Sequence, residues 1–306
     1  MKRSRAVPIF MLLFAVVPAG GLAQQTRSVQ EKPMTPMSRA SLDGIELEYE
    51  VRGSGEPVVL VHAGVIASWF TPLMEEPALA GRYRVLSYHR VGYMGSSRVA
   101  GPVSLAQQAS HLRALMRHLG IKRAHLVGHS SGGNIALQLA LDAPDMVRSL
   151  ALLEPALVTV VNRSELPRVF ERYRAGDKAG AVDSFMLAVT GPAYRPALER
   201  ALPGAFDQAV AHADTFFGQE LPAVRQWSFT REDAGRITQP VLAVIGAKYK
   251  EASPIWNERQ EILLTWLPKA EPFVLPDATH LLHLENPRGM AEGLAAFFAR
   301  HPIKAP

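Results

Sequence analysis

From position 45 onward, short apolar strand runs alternate with helical repeats, and that alternation leaves few folds open. Val58-Val59-Leu60-Val61 is an unbroken apolar run, the pattern of a strand buried on both faces. Residues 45–51 instead alternate apolar and charged side chains and end at Gly53, which predicts an edge hairpin strand. Residues 83–88 form the next strand run. Ser104 then caps a helix in which Leu105, Leu112, Leu115, Met116 and Leu119 recur at helical spacing until Gly120 stops it. Further strand runs stand at 124–128, 150–153, 241–245 and 272–275. Helical segments lie at 132–141 and 262–267, and a last helix runs from Pro287 to about Arg300. Strand and helix in this order specify an α/β fold: a doubly wound, mostly parallel sheet with helices on both faces.

One stretch breaks the alternation. Residues 156–236 contain no strand run and read as helices at 166–174, 178–189, 193–201 and 206–217. About 80 residues are too many for a connecting loop. They are expected to form a helical cap inserted into a core built from residues 41–155 and 237–306.

The first residues carry a different signal. Lys2, Arg3 and Arg5 precede an apolar run at 9–17, followed by small residues at Gly21 and Ala23. That is the pattern of a secretory signal peptide over residues 1–23, and the run is too short to span a bilayer as a helix. Residues 24–40 are polar, with two prolines, and are expected to be a flexible linker. The reading implies export to the periplasm or beyond. Removing the leader lowers the formal charge from +5 to +2, which leaves no footprint for nucleic acid or for an anionic membrane surface.

Composition narrows the chemistry. Hydrophobic residues make up 48% and charged residues 20%, a globular balance that argues against disorder. There is no cysteine, which excludes disulfides, cysteine–zinc sites, iron–sulfur clusters and thiol nucleophiles. No His/Asp/Glu cluster has metal-ligand spacing and no G-x-G-x-x-G follows a strand, so neither metal nor cofactor is implied.

Gly128-His129-Ser130-Ser131-Gly132 fits G-x-S-x-G and lies between a strand run and a helical one. In such a turn the serine is held in a strained conformation with its side chain alone above the sheet, and the residues two before and two after it must be small. Ser130 is therefore the candidate nucleophile. A serine hydroxyl needs a base to take its proton. His280 follows the last strand run, and in a doubly wound sheet its loop emerges at the same end as the Ser130 turn. His111 and His118 fall on a surface helix, His125 starts a strand, His212 lies in the cap, and His129 is expected to point elsewhere. His283 is expected to line the pocket or to pack at the surface. The base needs a carboxylate in turn, between positions 130 and 280.

These residues resemble the α/β-hydrolase family over roughly residues 42–300, which implies an eight-stranded type of sheet. His62-Ala63-Gly64 resembles the family's oxyanion loop, Arg90 to Ser96 its next strand-end loop, and Glu285-Asn286-Pro287 its final helix start. His89 stands where an Asp is common and Met94 where a Gly is common. The position that usually carries the acid, after the strand at 241–245, holds Tyr249, which cannot serve. Glu154, at the end of the strand beside the nucleophile strand, is similar to the displaced Glu of some haloalkane dehalogenases and zearalenone lactonases. It is favoured over Glu251, Asp233 and Asp277. The resemblance also places the second oxyanion donor at Gly64, with Val65 the alternative, beside the backbone N–H of Ser131.

Pocket walls are expected from Val65, Trp69, Met94, Phe185, Phe217, Trp227 and His283, with Phe70, Met186 and Phe216 further candidates. The resulting expectation is a serine hydrolase that cleaves a small-molecule ester or lactone through an acyl-enzyme. Carbon–carbon bond hydrolases and cofactor-free haloperoxidases use the same set of groups. A ligand-binding protein with little turnover is the alternative of another class, supported by Tyr249 alone.

Overall fold

The computed structural model describes residues 37–157 and 166–303. The expected signal peptide and most of the expected linker lie outside the described residues, as does the stretch 158–165 of the expected cap.

Eight strands form one sheet: β1 (Ser38–Leu42), β2 (Ile45–Arg52), β3 (Glu56–Val61), β4 (Tyr83–Tyr88), β5 (Ala124–His129), β6 (Val147–Leu153), β7 (Val241–Gly246) and β8 (Ala270–Leu275). Their order is β1-β2-β4-β3-β5-β6-β7-β8, with only β2 antiparallel to its neighbours. The continuous apolar runs take the centre. Every residue of β5 and β7 is buried, whereas the exposed and buried positions of β1 alternate. A strand buried on both faces must be apolar throughout, and an outer strand need not be.

Two expectations are corrected at the outer edge. The strand β1 begins at Ser38, inside the stretch expected to be linker. Only Ala40 and Leu42 of it are buried, too short an alternation to stand out among polar neighbours. Consequently β2 is flanked by β1 and β4 and is not the edge.

Helices cover both faces. The helix Leu105–His118 starts in a capping box, Ser104 with Gln107, and packs with Ser131–Asp142 on one side of the sheet. The last helix, Pro287–Arg300, covers the other. The segment after β6 supplies helices Leu166–Arg174, Lys178–Thr190, Tyr194–Ala201, Ala205–Ala211, Leu221–Gln226 and Arg231–Arg236, with a π-helical turn at Phe216–Glu220.

Register places the site. Val61 pairs with Gly128, His129 with Leu153, Leu153 with Val244, and Gly246 with Leu275. The carboxyl ends of five adjacent strands are thus level, and residues just beyond them share one crevice.

Candidate active site

The chain leaves β5 and reverses at Ser130, whose φ of 51° and ψ of −121° are strained for a residue with a Cβ. Its N–H donates to the Leu153 carbonyl at 2.9 Å, and its carbonyl accepts from Gly133 N–H at 2.9 Å and Ala156 N–H at 3.1 Å. The flanking glycines are required sterically. A Cβ on Gly128 would lie 2.5 Å from the Gly132 carbonyl oxygen, and one on Gly132 would lie 2.1 Å from that of Val61.

Glu154 follows β6 directly, with φ at 44°. Its Oε1 accepts Gly246 N–H at 2.9 Å, and its Oε2 accepts His280 Nδ1–H at 2.5 Å. Both side chains are almost fully buried. A proton held on Nδ1 leaves the lone pair on Nε2, the nitrogen a general base uses. The end of β7, where a relative's acid would follow, here donates a backbone N–H to the displaced carboxylate. The other candidates are elsewhere: Glu251 is exposed on the short helix Tyr249–Ala252, Asp233 closes the capping box of Thr230, and the Asp277 side chain is 86% exposed beside Lys248.

Trp256 stacks on the His280 ring, with centroids 3.7 Å apart and planes 10° apart, and the Arg259 guanidinium sits 4.7 Å from the Trp256 ring centre. Burial holds the His280 imidazole below its ordinary pKa; the bond to Glu154 opposes this and the Arg259 charge adds to it. The neutral ring is the form able to accept a proton. If His280 is the base, the acid limb of kcat/KM should therefore lie below pH 6.5, with activity lost only as pH falls through that lowered value. A pH–rate profile with its acid limb at 7 or above would contradict this.

Behind His280, His129 donates from Nε2 to the His280 carbonyl at 3.1 Å. His62 accepts Arg90 N–H on Nε2 at 3.1 Å and donates from Nδ1 to its neighbour's carbonyl, which shapes the loop after β3. In that loop Val65 N–H donates to the Tyr93 hydroxyl at 3.3 Å, and the Gly64 carbonyl accepts the Trp69 indole N–H at 2.9 Å. Among the described residues, Gly64 N–H and Ser131 N–H have no acceptor. Of the two donors considered for this loop, Gly64 is the free one.

Ser130, His280, Gly64 and Ser131 line a cavity of about 50 Å³. Its other walls are mainly apolar: Val65 and Trp69 from the sheet side, and Phe185, Met186, Phe216 and Leu221 from the segment above, with Thr190 giving its hydroxyl to the Met186 carbonyl. Five candidate wall residues are not there, among them Phe70, which is buried against His283. Phe217 packs edge-on against Phe216 and also on Tyr173 and Phe185, outside the cavity lining. Trp227 donates its indole N–H to Gln138 and stacks on Phe229. Met94 is 39% exposed, its backbone N–H bonded to His212. His283 is fully buried, stacked on Phe70 and bonded through Nε2–H to the Trp69 carbonyl, so it neither lines the cavity nor reaches the surface. His89 pairs with Glu48 on the β2 side.

Sequence reasoning missed two features. Trp256 lies two residues after Pro254 with no pattern to mark it. Glu220, in the π-helical turn, forms a buried ion pair with Arg90 across 130 positions of sequence. Among the described residues no three His, Asp or Glu side chains converge as a metal site.

The sequence model of the family described as the alpha/beta hydrolase fold matches residues 56–287. The chain belongs to this family. Like other alpha/beta hydrolases, it pairs an eight-stranded, mostly parallel sheet with helices on both sides. It is similar to a thermophilic esterase from Thermogutta terrifontis, with a TM-score of 0.73 at 21% identity over 88% of this chain and 100% of that one. An enol-lactonase from Burkholderia xenovorans superposes with a TM-score of 0.72 at 23% identity, over 86% and 100% of the two chains. At these identities the likeness concerns the fold. In sequence the chain is 30% identical over 256 residues to the dihydrolipoyllysine-residue acetyltransferase component of the acetoin cleaving system of Cupriavidus necator. The match spans 81% of this chain and 65% of that protein's length.

Proposed function

We propose that this alpha/beta hydrolase is an exported serine hydrolase that cleaves a small carboxylic ester or lactone through an acyl-enzyme. One observation carries the reading: His280, its Nδ1 occupied by Glu154, faces the same cavity as the strained Ser130. In this mechanism Ser130 Oγ attacks the substrate carbonyl carbon while its proton passes to His280 Nε2. The carbonyl oxygen becomes an alkoxide held by Gly64 N–H and Ser131 N–H. The alkoxide collapses, the C–O bond breaks, and His280 returns the proton to the leaving alcohol. In a lactone that alcohol stays attached to the acyl group. A water then gives a proton to His280 and attacks the acyl-enzyme, releasing the acid and restoring Ser130. Glu154 fixes the tautomer and stabilises the imidazolium.

The cavity supports a restriction on substrate. The cavity is narrow, and its mainly apolar walls offer no countercharge for an anionic acyl group. Among p-nitrophenyl esters, acetate and propionate are expected to be turned over fastest, with kcat/KM falling by about tenfold or more by hexanoate, since overfilling a packed site costs about 1–3 kcal/mol. Met186→Ala should move the preferred acyl length upward by two or three carbons. A profile that rises with chain length in the wild type would contradict the acyl assignment. Export is tested by sequencing the mature N-terminus, expected at Gln24.

A further inference from the structure

The proposed mechanism gives no part to the most deeply buried ion pair of the described residues. Arg90 Nη2 donates to both oxygens of Glu220, at 2.9 and 3.1 Å, and Arg90 Nη1 donates to Gln108 at 2.7 Å. The same carboxylate accepts the Ser131 hydroxyl at 2.5 Å and the Tyr93 hydroxyl. Arg90 is 1% exposed and Glu220 3%. Stability alone gives little reason for such a cluster, because apolar side chains of equal volume hold two elements together as well or better.

Its contacts supply another reason. Ser131, which carries one unpaired N–H, is held through its side chain. Ala63, which precedes Gly64, gives its carbonyl to Arg90 Nη2 at 3.1 Å. Val65, which follows Gly64, gives its N–H to Tyr93. A Cβ on Gly64 would lie 3.2 Å from Glu220 Oε1. Bonds from this carboxylate, and from its partners Arg90 and Tyr93, therefore reach residues that carry or flank both free donors. A bare carboxylate here would oppose an alkoxide, but the guanidinium and two hydroxyl donors neutralise it.

We propose that Glu220 is a positioning residue: its seat on Arg90 aligns Gly64 N–H and Ser131 N–H, so that docking of the Phe216–Glu220 turn and completion of the oxyanion site are one event. The inference rests on the serine-hydrolase reading above. The test replaces the pair together, Arg90→Met with Glu220→Leu, so that no buried charge is left alone. Active sites are counted by end-point labelling with a fluorophosphonate, and kcat is expressed per labelled site. Per-site kcat on p-nitrophenyl acetate should fall about 10- to 100-fold, short of the roughly 100- to 1,000-fold for losing a donor outright, with KM within about threefold. The inhibition constant of a trifluoromethyl ketone, whose hemiketal oxygen needs the same donors, should rise by the same factor.

Per-site kcat within twofold of the wild type would overturn the inference, and so would a smaller labelled fraction with unchanged per-site kcat, the mark of a purely structural pair. Should the double variant not fold, Ser131→Ala keeps the N–H and loses the hydroxyl's bond to Glu220 together with its long 3.5 Å contact from Arg90. It should lower kcat about three- to tenfold at unchanged melting temperature and KM, and an unchanged kcat would overturn the inference. Failure of the fluorophosphonate to label wild-type Ser130 would instead sink the hydrolase reading beneath it.

Discussion

Replacing Ser130 by alanine is expected to lower kcat on p-nitrophenyl acetate by about 10⁵- to 10⁶-fold, to a residue of turnover left by the oxyanion donors and binding. Among the described residues the side chain makes no hydrogen bond that holds the turn together. The strained backbone is kept in place through the Ser130 N–H and carbonyl, which alanine retains. The melting temperature should therefore stay within a few degrees of the wild type, and loss of turnover can be read as loss of chemistry. Melting curves alongside initial rates check both halves. A variant that keeps more than about 1% of wild-type turnover, on protein free of wild type, would mean that another group attacks the carbonyl.

Replacing Glu154 by glutamine is expected to cost about 10³- to 10⁴-fold in kcat with little change in KM. The amide oxygen can still accept Gly246 N–H, but the other end of the amide offers N–H to a ring nitrogen that needs an acceptor. The imidazole is then held with its proton on the wrong nitrogen, and the developing imidazolium loses its counterion. The exposed Glu251 lacks any contact of this kind, so Glu251→Gln should lie within about twofold of the wild type. Initial rates on the two variants decide the matter: equal losses, or a larger loss in the Glu251 variant, would move the acid away from Glu154.

That Glu154 could be singled out as the partner of His280 follows from strand order. Tyr249 closes the usual position, and the strand beside β5 ends in a carboxylate. In a parallel sheet with level carboxyl ends, that suffices to bring Glu154 and a loop histidine into one crevice. The Ser130 turn was legible for a steric reason, since only glycine fits within 2.5 Å of a neighbouring carbonyl. Central strands announced themselves by unbroken apolar runs. Strand β1 did not, because two buried side chains at an exposed edge leave no periodic pattern.

The pocket was read less well. Phe216 and Phe217 are equivalent by composition, and the rotation from one residue to the next along the π-helical turn decides which of them faces the cavity. Trp227, Met94 and His283 were chosen for size or position, but their hydrogen bonds and packing direct them elsewhere. The Arg90–Glu220 pair is the extreme case. Its members are complementary only once the segment above the sheet has folded back over the loop after β4, and no local spacing encodes that approach.

The most direct test of the central claim is to quench the protein with acid during turnover of p-nitrophenyl acetate and map the acyl group by mass spectrometry. An acetyl adduct on Ser130 that disappears when the substrate is exhausted is expected. An adduct on Ser131 or elsewhere with Ser130 unmodified, or sustained hydrolysis with Ser130→Ala, would contradict the claim.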